Sequence, residues 1–224
     1  MDTAGIQWII NPWDELALTR ALEIREQPDS GITQISVVHV GGKEADAVIQ
    51  KALAVGADSA YRVNVIPSDS FETASQLLEV VTKENFDLVI AGHDSADYNG
   101  SAVGEMLAEL LGWTSFSSVS SLAVKGDTVS LQRESDLGTE TIVAKSPSVI
   151  SIQKGIARDP RIPSLRGIMT ARTKPLNTIE PVASQVYTRF VSFANPAPRL
   201  KCKMVDPLNT GELVSLLRND ANVL

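Results

Sequence analysis

Apolar, β-branched runs alternate with amphipathic runs through the first half of the chain, and this alternation most constrains the fold. The run 32–40, ITQISVVHV, is continuous and β-branched, as in a strand buried on both faces of a sheet. Strands and helices alternating at this spacing predict an α/β domain with a parallel sheet and right-handed crossovers. The predicted strands are 32–40, 61–66 and 86–91, and the predicted helices are 11–26, 44–55, 70–84 and 101–112.

The junction after the third predicted strand has the pattern of an anion site. The run 86–91 ends at Gly92, a polar loop containing Gly100 follows, and an amphipathic helix is predicted to start near Ser101. Such a junction collects free backbone N–H groups and the positive end of a helix dipole, which bind anions, especially phosphate. The loop has neither the lysine of a Walker motif nor GxGxxG. It predicts a nucleotide held mainly by backbone, with an ordinary βα turn as the alternative.

A second strand end is predicted to lie on the same edge of the sheet. Ligands of open parallel sheets bind beyond the carboxyl ends of the strands, so residues 40–42 and the loop 92–100 should lie together there. Asp94 and Asp97 in this loop could pair as an acid and a base. Turn formation and a hydrogen bond to a ribose are the favoured interpretation.

The pattern changes after Trp113, where apolar and polar residues begin to alternate. Lys125-Gly126-Asp127 joins two alternating runs and predicts a hairpin that extends the sheet. A further apolar run predicts a buried strand at its end. The predicted strands of this insertion are 117–124, 128–134, 139–144 and 148–152.

The remaining chain is expected to be irregular. Residues 155–181 are rich in arginine and proline, and the pattern favours either a solvated face or a partner-binding loop over a core element. The tail has a β-like run at 186–193, a proline-spaced link at 195–198 and a predicted helix at 209–218. With little core of its own, this tail is either flexible or an arm that packs on another subunit.

Composition excludes several classes of function. The formal charge of −7 argues against broad electrostatic binding to nucleic acid or an anionic membrane. No apolar run is long enough to span a membrane, and no targeting signal is evident, so a cytoplasmic protein is expected. Cys202 is the only cysteine, and no spacing suggests a metal site. His39 is expected to be a neutral core residue and His93 an exposed loop residue.

Five segments in order resemble the beta subunit of electron transfer flavoprotein. The resemblance runs from about Ile10 to Pro181 and is weaker in the tail. The segments are INPWDELALTRALEIRE, KALAVGADSAYRV, LVIAGHDSADYNGSAVGEMLAELLGW, QRESDLGTETIVAKSPSVI and RIPSLRGIMTARTKPLNTIEP.

The resemblance implies an electron-carrier subunit without catalytic residues of its own. Members pair with an alpha subunit that carries the redox-active FAD, which accepts electrons from acyl-CoA and related dehydrogenases of fatty acid oxidation. The implied fold is a Rossmann-like, adenine-nucleotide alpha-hydrolase-like domain at 1–181, followed by an arm at 182–224 that packs on the partner subunit. This domain would hold a structural AMP. The implied location is the cytoplasm of a bacterium, or the mitochondrial matrix of a eukaryote.

The resemblance also places two sets of residues. Near the nucleotide it places Asn11 of the Asn-Pro pair, Val40 through its backbone, and the loop and helix start at Ser95, Asp97, Ser101, Ala102 and Val103. In a docking loop at about 158–174 it places Leu165 as the anchor for partner dehydrogenases, with Arg161 and Arg166 on its rim.

Two departures from the family pattern leave alternatives open. Members begin with a strand about thirty residues before the Asn-Pro helix, whereas ten residues precede Asn11 here. We therefore expect a truncated numbering frame or gene model rather than a functional deletion. The sequence from Asn99 to Val103 matches neither the AMP-type nor the bifurcating pattern fully. The alternatives are therefore a bifurcating subunit with a second FAD, an ATP-cleaving adenylating enzyme of the same fold, or a stress-protein-like ATP-binding homodimer.

Overall fold

The computed structural model describes residues 5–199 and 202–224. The chain divides into two compact units, one ending at Phe190 and the other spanning Val191–Leu224. The helices are α1 Pro12–Arg25, α2 Asp46–Val55, α3 Ser70–Lys83, α4 Val103–Leu111, α5 Leu165–Ala171 and α6 Thr210–Asn219. The strands are β1 Ser36–Val40, β2 Ser59–Val63, β3 Leu88–Gly92, β4 Thr114–Lys125, β5 Thr128–Ser135, β6 Gly138–Lys145, β7 Ser148–Ile152 and β8 Leu176–Ile179.

The first unit contains two sheets and confirms the α/β class. Parallel strands β1, β2 and β8 form one sheet in the order β1-β2-β8. The second sheet has the order β3-β7-β4-β5-β6, in which β3, β7 and β4 are parallel and the remaining pairs are antiparallel. The predicted hairpin insertion therefore extends the second sheet. Within the described ranges, β1 and β3 are each an edge strand of their sheet.

Helix α1 holds the two sheets together. It begins at Pro12, directly after Asn11, because asparagine favours the N-cap and proline favours the first helical position. Leu22 packs into the core beside the first sheet, while Ile24 packs into the core of the second. Both side chains are fully buried, and each contributes about 1.5–3 kcal/mol of hydrophobic stabilisation. Because α1 packs into both cores, its position relative to both sheets is fixed. The position of its amino end relative to the strand ends is therefore fixed as well.

The segment after β7 is more regular than the sequence predicts. Instead of an irregular stretch, it forms α5 and then β8, which pairs in parallel with β2. The helix is only seven residues long and its Gly167 touches α2, so its register depends on tertiary contacts that the local pattern does not encode. The prediction of a β-like run at 186–193 was wrong, because these residues form no strand.

Strand boundaries also differ from those predicted. β1 starts at Ser36 rather than at residue 32, and β2 covers 59–63 rather than 61–66. Within the described part of the chain, no helix is long and apolar enough to cross a membrane.

The second unit contains α6, one residue displaced from the predicted helix. Asn209 caps it by accepting a hydrogen bond from the backbone N–H of Glu212 at 3.3 Å, and the amide of Asn209 donates to the Glu212 carboxylate at 3.0 Å. This reciprocal arrangement satisfies donors at the helix start. None of the residues of α6 is buried, and Leu213 and Val214 are about half-exposed.

Candidate functional site

The amino end of α1 meets the carboxyl end of β3. The backbone N–H of Gly92 donates to Asp14 Oδ1 at 2.7 Å, which satisfies a donor on the edge of β3 that faces away from β7. A Cβ on Gly92 would lie 2.6 Å from the Cβ of Trp13, so only glycine permits this approach. In the sequence, Asp14 is simply an acidic residue in the first turn of the predicted helix 11–26. Its contact with a strand 78 positions away has no local signal.

Asn11 ties this helix to the loop that follows β3. Its Nδ2 donates to the carbonyl of Asp94 at 2.8 Å and to Asp14 Oδ2 at 2.9 Å. Its Oδ1 accepts from the backbone N–H of Ala96 at 3.2 Å. The side chain does not cap α1, although Asn11 occupies the N-cap position. The predicted nucleotide-site residue Asn11 therefore supports the backbone of the loop directly.

The loop turns sharply between Ser95 and Ser101. The backbone N–H of Asn99 donates to the carbonyl of Ser95 at 2.8 Å, and the N–H of Tyr98 points to Ser95 Oγ at 3.4 Å. Asn99 and Ser101 have φ values of 49° and 43°, in the left-handed region that favours glycine. Asp97 is exposed on this turn. The loop conformation is locally unfavourable, so surrounding contacts must maintain it.

The start of α4 presents free backbone donors beside this loop. The helix begins at Val103, and its N-cap residue Ala102 has no side chain that can accept a hydrogen bond. Among the described residues, no acceptor binds the backbone N–H groups of Ser101, Ala102 or Val103. Gly104 lets the helix approach β7, since a Cβ there would lie 2.6 Å from Ser151 Oγ. The geometry of an anion site is present: unpaired N–H groups at the positive end of a helix dipole.

Val40 ends β1 at an open strand edge. The N–H of Gly41 donates to the carbonyl of Val63 on β2 at 3.0 Å. Backbone groups alternate in direction along a strand, so the N–H and C=O of Val40 point away from β2. The Val40 side chain is buried and anchors the strand end. The N–H donor and the C=O acceptor of Val40 therefore lie side by side on the edge of β1 that faces away from β2.

The two histidines near the strand ends differ from expectation. His39 is exposed rather than buried in the core, and its ring lies back over Gly41. Desolvation of the ring lowers the pKa of His39, while the carboxylates of Glu44 and Asp14 oppose that shift. His93 is half-buried rather than exposed, and its Nδ1 is shielded from solvent without a described hydrogen-bond partner.

The predicted docking segment presents an apolar surface. Ser164 caps α5 by accepting from the N–H of Gly167 at 3.0 Å. Leu165, the predicted anchor, is 84% exposed, and Arg166 beside it is exposed as well. Ile162 and Met169 are also largely exposed. We call Ile162, Leu165 and Met169 the apolar ridge.

Helix α5, which carries Leu165 and Met169 of the apolar ridge, packs against α2. A Cβ on Gly167 would lie 2.3 Å from the carbonyl oxygen of Ala54, so α5 rests directly on α2. Lys174 Nζ donates to the carbonyls of Leu53 at 2.9 Å and Ala57 at 2.6 Å. A cation that binds carbonyls at a helix carboxyl end satisfies orphan acceptors and complements the dipole. Lys174 therefore secures the segment, a role that the sequence pattern did not reveal.

Arg161 fastens the other end of the docking segment. Its guanidinium makes a bidentate contact with Glu26, with N–O distances of 2.7 and 2.5 Å, and its backbone N–H donates to Thr19 Oγ1 at 2.9 Å. The hydrogen bond from Arg161 holds the pKa of Glu26 below its usual value, and the same contact raises the pKa of Arg161. The side chain of Arg161 is engaged within the chain, whereas that of Arg166 projects from α5.

Comparisons with known proteins agree with this architecture. The profile described as "Electron transfer flavoprotein domain" matches residues 1–184. The chain is 35% identical to "Electron transfer flavoprotein subunit beta" of Syntrophomonas wolfei, over 86% of this chain and 76% of that protein. It is 31% identical to the protein of the same name in Bacillus subtilis, over 98% of this chain and 90% of the relative. The Bradyrhizobium diazoefficiens protein of that name is 31% identical over 100% of this chain and 90% of its own length. The chain therefore belongs to the electron transfer flavoprotein family.

Proposed function

We propose that the chain is the beta subunit of a heterodimeric electron transfer flavoprotein. In this proposal it holds a structural AMP and docks dehydrogenases, so that electrons pass to the FAD of an alpha subunit. The observation that supports it best is the combination of two features at the carboxyl ends of strands, one at β1 of the first sheet and one after β3 of the second. The open edge at Val40 offers a backbone donor and acceptor, and α4 offers free N–H groups at Ser101–Val103.

The chemistry of AMP suits these two features. The base edge of adenine presents an amino donor next to a ring-nitrogen acceptor, which the C=O and N–H of Val40 could match. The phosphate would accept hydrogen bonds from the N–H groups of Ser101, Ala102 and Val103, with the dipole of α4 favouring its charge. Ser95 and Asp97 lie on the turn that precedes α4, where they would hydrogen-bond the ribose or shape the loop.

Asn11 would act on the nucleotide through the loop. Two of its hydrogen bonds go to residues 94–96 and the third goes to Asp14 of α1, so its side chain joins the loop to the helix. The loop contains two residues with positive φ, so it gains most from this external support. Preorganising the N–H groups before binding lowers the entropy lost when the nucleotide is ordered.

The apolar ridge supports the docking part of the proposal. Leu165 projects into solvent from a helix whose two ends are fastened by Arg161 and Lys174. A rigid, exposed apolar side chain can enter a groove on a partner without reordering its own base. Arg166 would lie at the rim and raise the encounter rate with an acidic surface.

The tail suits a subunit interface. Helix α6 carries apolar side chains such as Leu213 and Val214, and none of its residues is buried. Amphipathic faces of this kind become stable when a partner covers them. The partner in this proposal is the alpha subunit, whose FAD supplies the redox chemistry when bound.

The test is to measure nucleotide retained by the protein coexpressed with an alpha subunit, in wild type and in Asn11→Asp. Aspartate keeps the N-cap preference of position 11, but it cannot donate to the Asp94 carbonyl and it faces Asp14. We expect stoichiometric AMP in the heat-released supernatant of wild type and a substoichiometric amount from the variant. Asn177→Asp, an equal charge change at an exposed position on β8, is the matched control.

The outcomes separate the candidate functions. Retained FAD in place of AMP, in addition to the alpha-subunit FAD, would identify the bifurcating type. The absence of any nucleotide from wild type would overturn the binding site. Equal retention by Asn11→Asp and Asn177→Asp would show that Asn11 does not support the site.

A further inference from the structure

Residues 182–190, which we call the strap, follow β8 and lie along α3. Gln76 of α3 is only 1% exposed, and its side-chain amide pairs with the backbone of Val182. Gln76 Nε2 donates to the Val182 carbonyl at 2.8 Å, and the Val182 N–H donates to Gln76 Oε1 at 2.9 Å. A buried amide without such partners would be costly. Gln76 therefore fixes the beginning of the strap on α3.

Asp69 fixes the middle of the strap. Its Oδ1 accepts from the N–H of Glu72 at 2.8 Å and caps α3. Its Oδ2 accepts from the N–H groups of Tyr187 at 2.7 Å and Thr188 at 2.8 Å. The ring of Tyr187 also packs edge-on against Phe71, with centroids 4.8 Å apart. One carboxylate thus joins the strap to the start of α3.

The end of the strap reaches the loop after β3. The rings of Phe190 and Tyr98 lie 5.4 Å apart, tilted by 32°. Tyr98 lies in the same turn as Asn99 and Ser101, whose φ values are positive. The same turn approaches α3, since a Cβ on Gly100 would lie 3.8 Å from Ser70 Oγ. The loop is therefore supported by Asn11 on one side and by the strap on the other.

We propose that the strap is a latch that holds the nucleotide-binding loop closed and sets how fast the nucleotide leaves. The inference rests on the proposed function, because it needs a ligand at Ser101–Val103. The strap and the ligand favour one conformation of the loop, so each stabilises the other. Detaching the strap should free Tyr98, relax the turn and open the loop.

This coupling between the strap and the nucleotide predicts two measurable effects. Weakening the strap should accelerate nucleotide dissociation without removing any group that touches the nucleotide. Conversely, bound nucleotide should protect the N–H groups of Tyr187 and Thr188 from hydrogen exchange, although these two residues do not belong to the proposed nucleotide site. A merely structural role for the strap predicts neither effect, since it would change only the stability of the fold.

Asp69→Asn is the sharpest variant. Asparagine caps helices about as well as aspartate, so α3 keeps its start. The amide group that replaces Oδ2 cannot accept from Tyr187 and Thr188. Because hydrogen bonds to a charged acceptor are among the stronger ones in proteins, we expect AMP dissociation to accelerate on the order of tenfold. Phe190→Ala is a second variant that leaves Asp69 and Gln76 untouched.

The experiment follows release of radiolabelled AMP, chased with unlabelled AMP, from the complex with the alpha subunit. Asp136→Asn, the same charge change on an exposed side chain in the turn between β5 and β6, is the control. Faster release from Asp69→Asn and Phe190→Ala, with control and wild type equal and melting temperatures similar, supports the latch. If wild type retains AMP and both variants release it at the wild-type rate, the latch is overturned while the binding site stands. If wild type retains neither AMP nor FAD, the binding site fails and the latch with it.

Discussion

Replacement of Leu165 by alanine separates docking from folding. The side chain is 84% exposed on α5, so truncation removes little buried area from the chain itself. We expect the free energy of unfolding to change by less than about 0.5 kcal/mol, as for other surface substitutions. An apolar anchor buried in a partner groove contributes on the order of 2 kcal/mol, which corresponds to about a thirtyfold loss of affinity.

The assay for this prediction is steady-state electron transfer from a cognate acyl-CoA dehydrogenase to the heterodimer, together with thermal melting. Leu137→Ala is the matched control, because Leu137 is 98% exposed in the turn between β5 and β6. We expect the Michaelis constant for the flavoprotein to rise with Leu165→Ala alone. Normal transfer by Leu165→Ala, or equal losses in both variants, would refute the docking assignment. A large fall in melting temperature would instead mean that Leu165 packs within the protein.

Three further substitutions test the contacts that hold α1 and the docking segment in place. Lys174→Met leaves two helix-end carbonyls unpaired and should lower the free energy of unfolding by roughly 1–2 kcal/mol in denaturant titrations. Leu22→Ala should cost about 2–5 kcal/mol in the same titrations, since it opens a cavity under α1. The pKa of Glu26 is lowered by Arg161, so this ion pair stabilises the fold above the unfolded pKa of glutamate and is lost as the pH falls through the folded pKa. Glu26→Gln should therefore destabilise the protein at neutral pH and reduce the slope of stability against pH in the acid range, and an unchanged slope would contradict it.

The regular part of the fold could be predicted from the sequence because its signals are local. Asn11-Pro12 begins α1, and the apolar run ending at Gly92 predicts β3. The hairpin at 125–127 is likewise encoded by its turn residues. Each of these signals lies within a few residues of the structure that it specifies, so no knowledge of distant contacts is needed.

The rest depends on contacts between distant segments. Helix α5 is stabilised by the approach of Gly167 to Ala54, and β8 exists because β2 offers an edge. The strap has no periodic pattern. It is held by Gln76, which the sequence presents as an ordinary helix residue, and by Asp69, which lies just before the predicted helix. Side chains that bind backbone across more than a hundred positions leave no local trace.

The candidate site shows the same division. The junction after β3 and the start of α4 follow from the pattern of apolar run, glycine and polar loop. The resemblance to the family implies that Asn11 lies near the nucleotide, and the structure shows that its side chain hydrogen-bonds to the backbone of residues 94–96. The role of Asp14 in joining α1 to β3 could be recognised only from the structure.

Native mass spectrometry of the heterodimer tests the central claim most directly, because it weighs the subunits with their ligands in one measurement. The account predicts a mass equal to the two polypeptides plus one FAD and one AMP. It predicts that AMP is lost more readily from Asn11→Asp than from Asn177→Asp. A wild-type heterodimer with FAD but no second nucleotide would contradict the assignment of Val40 and Ser101–Val103 as a nucleotide site.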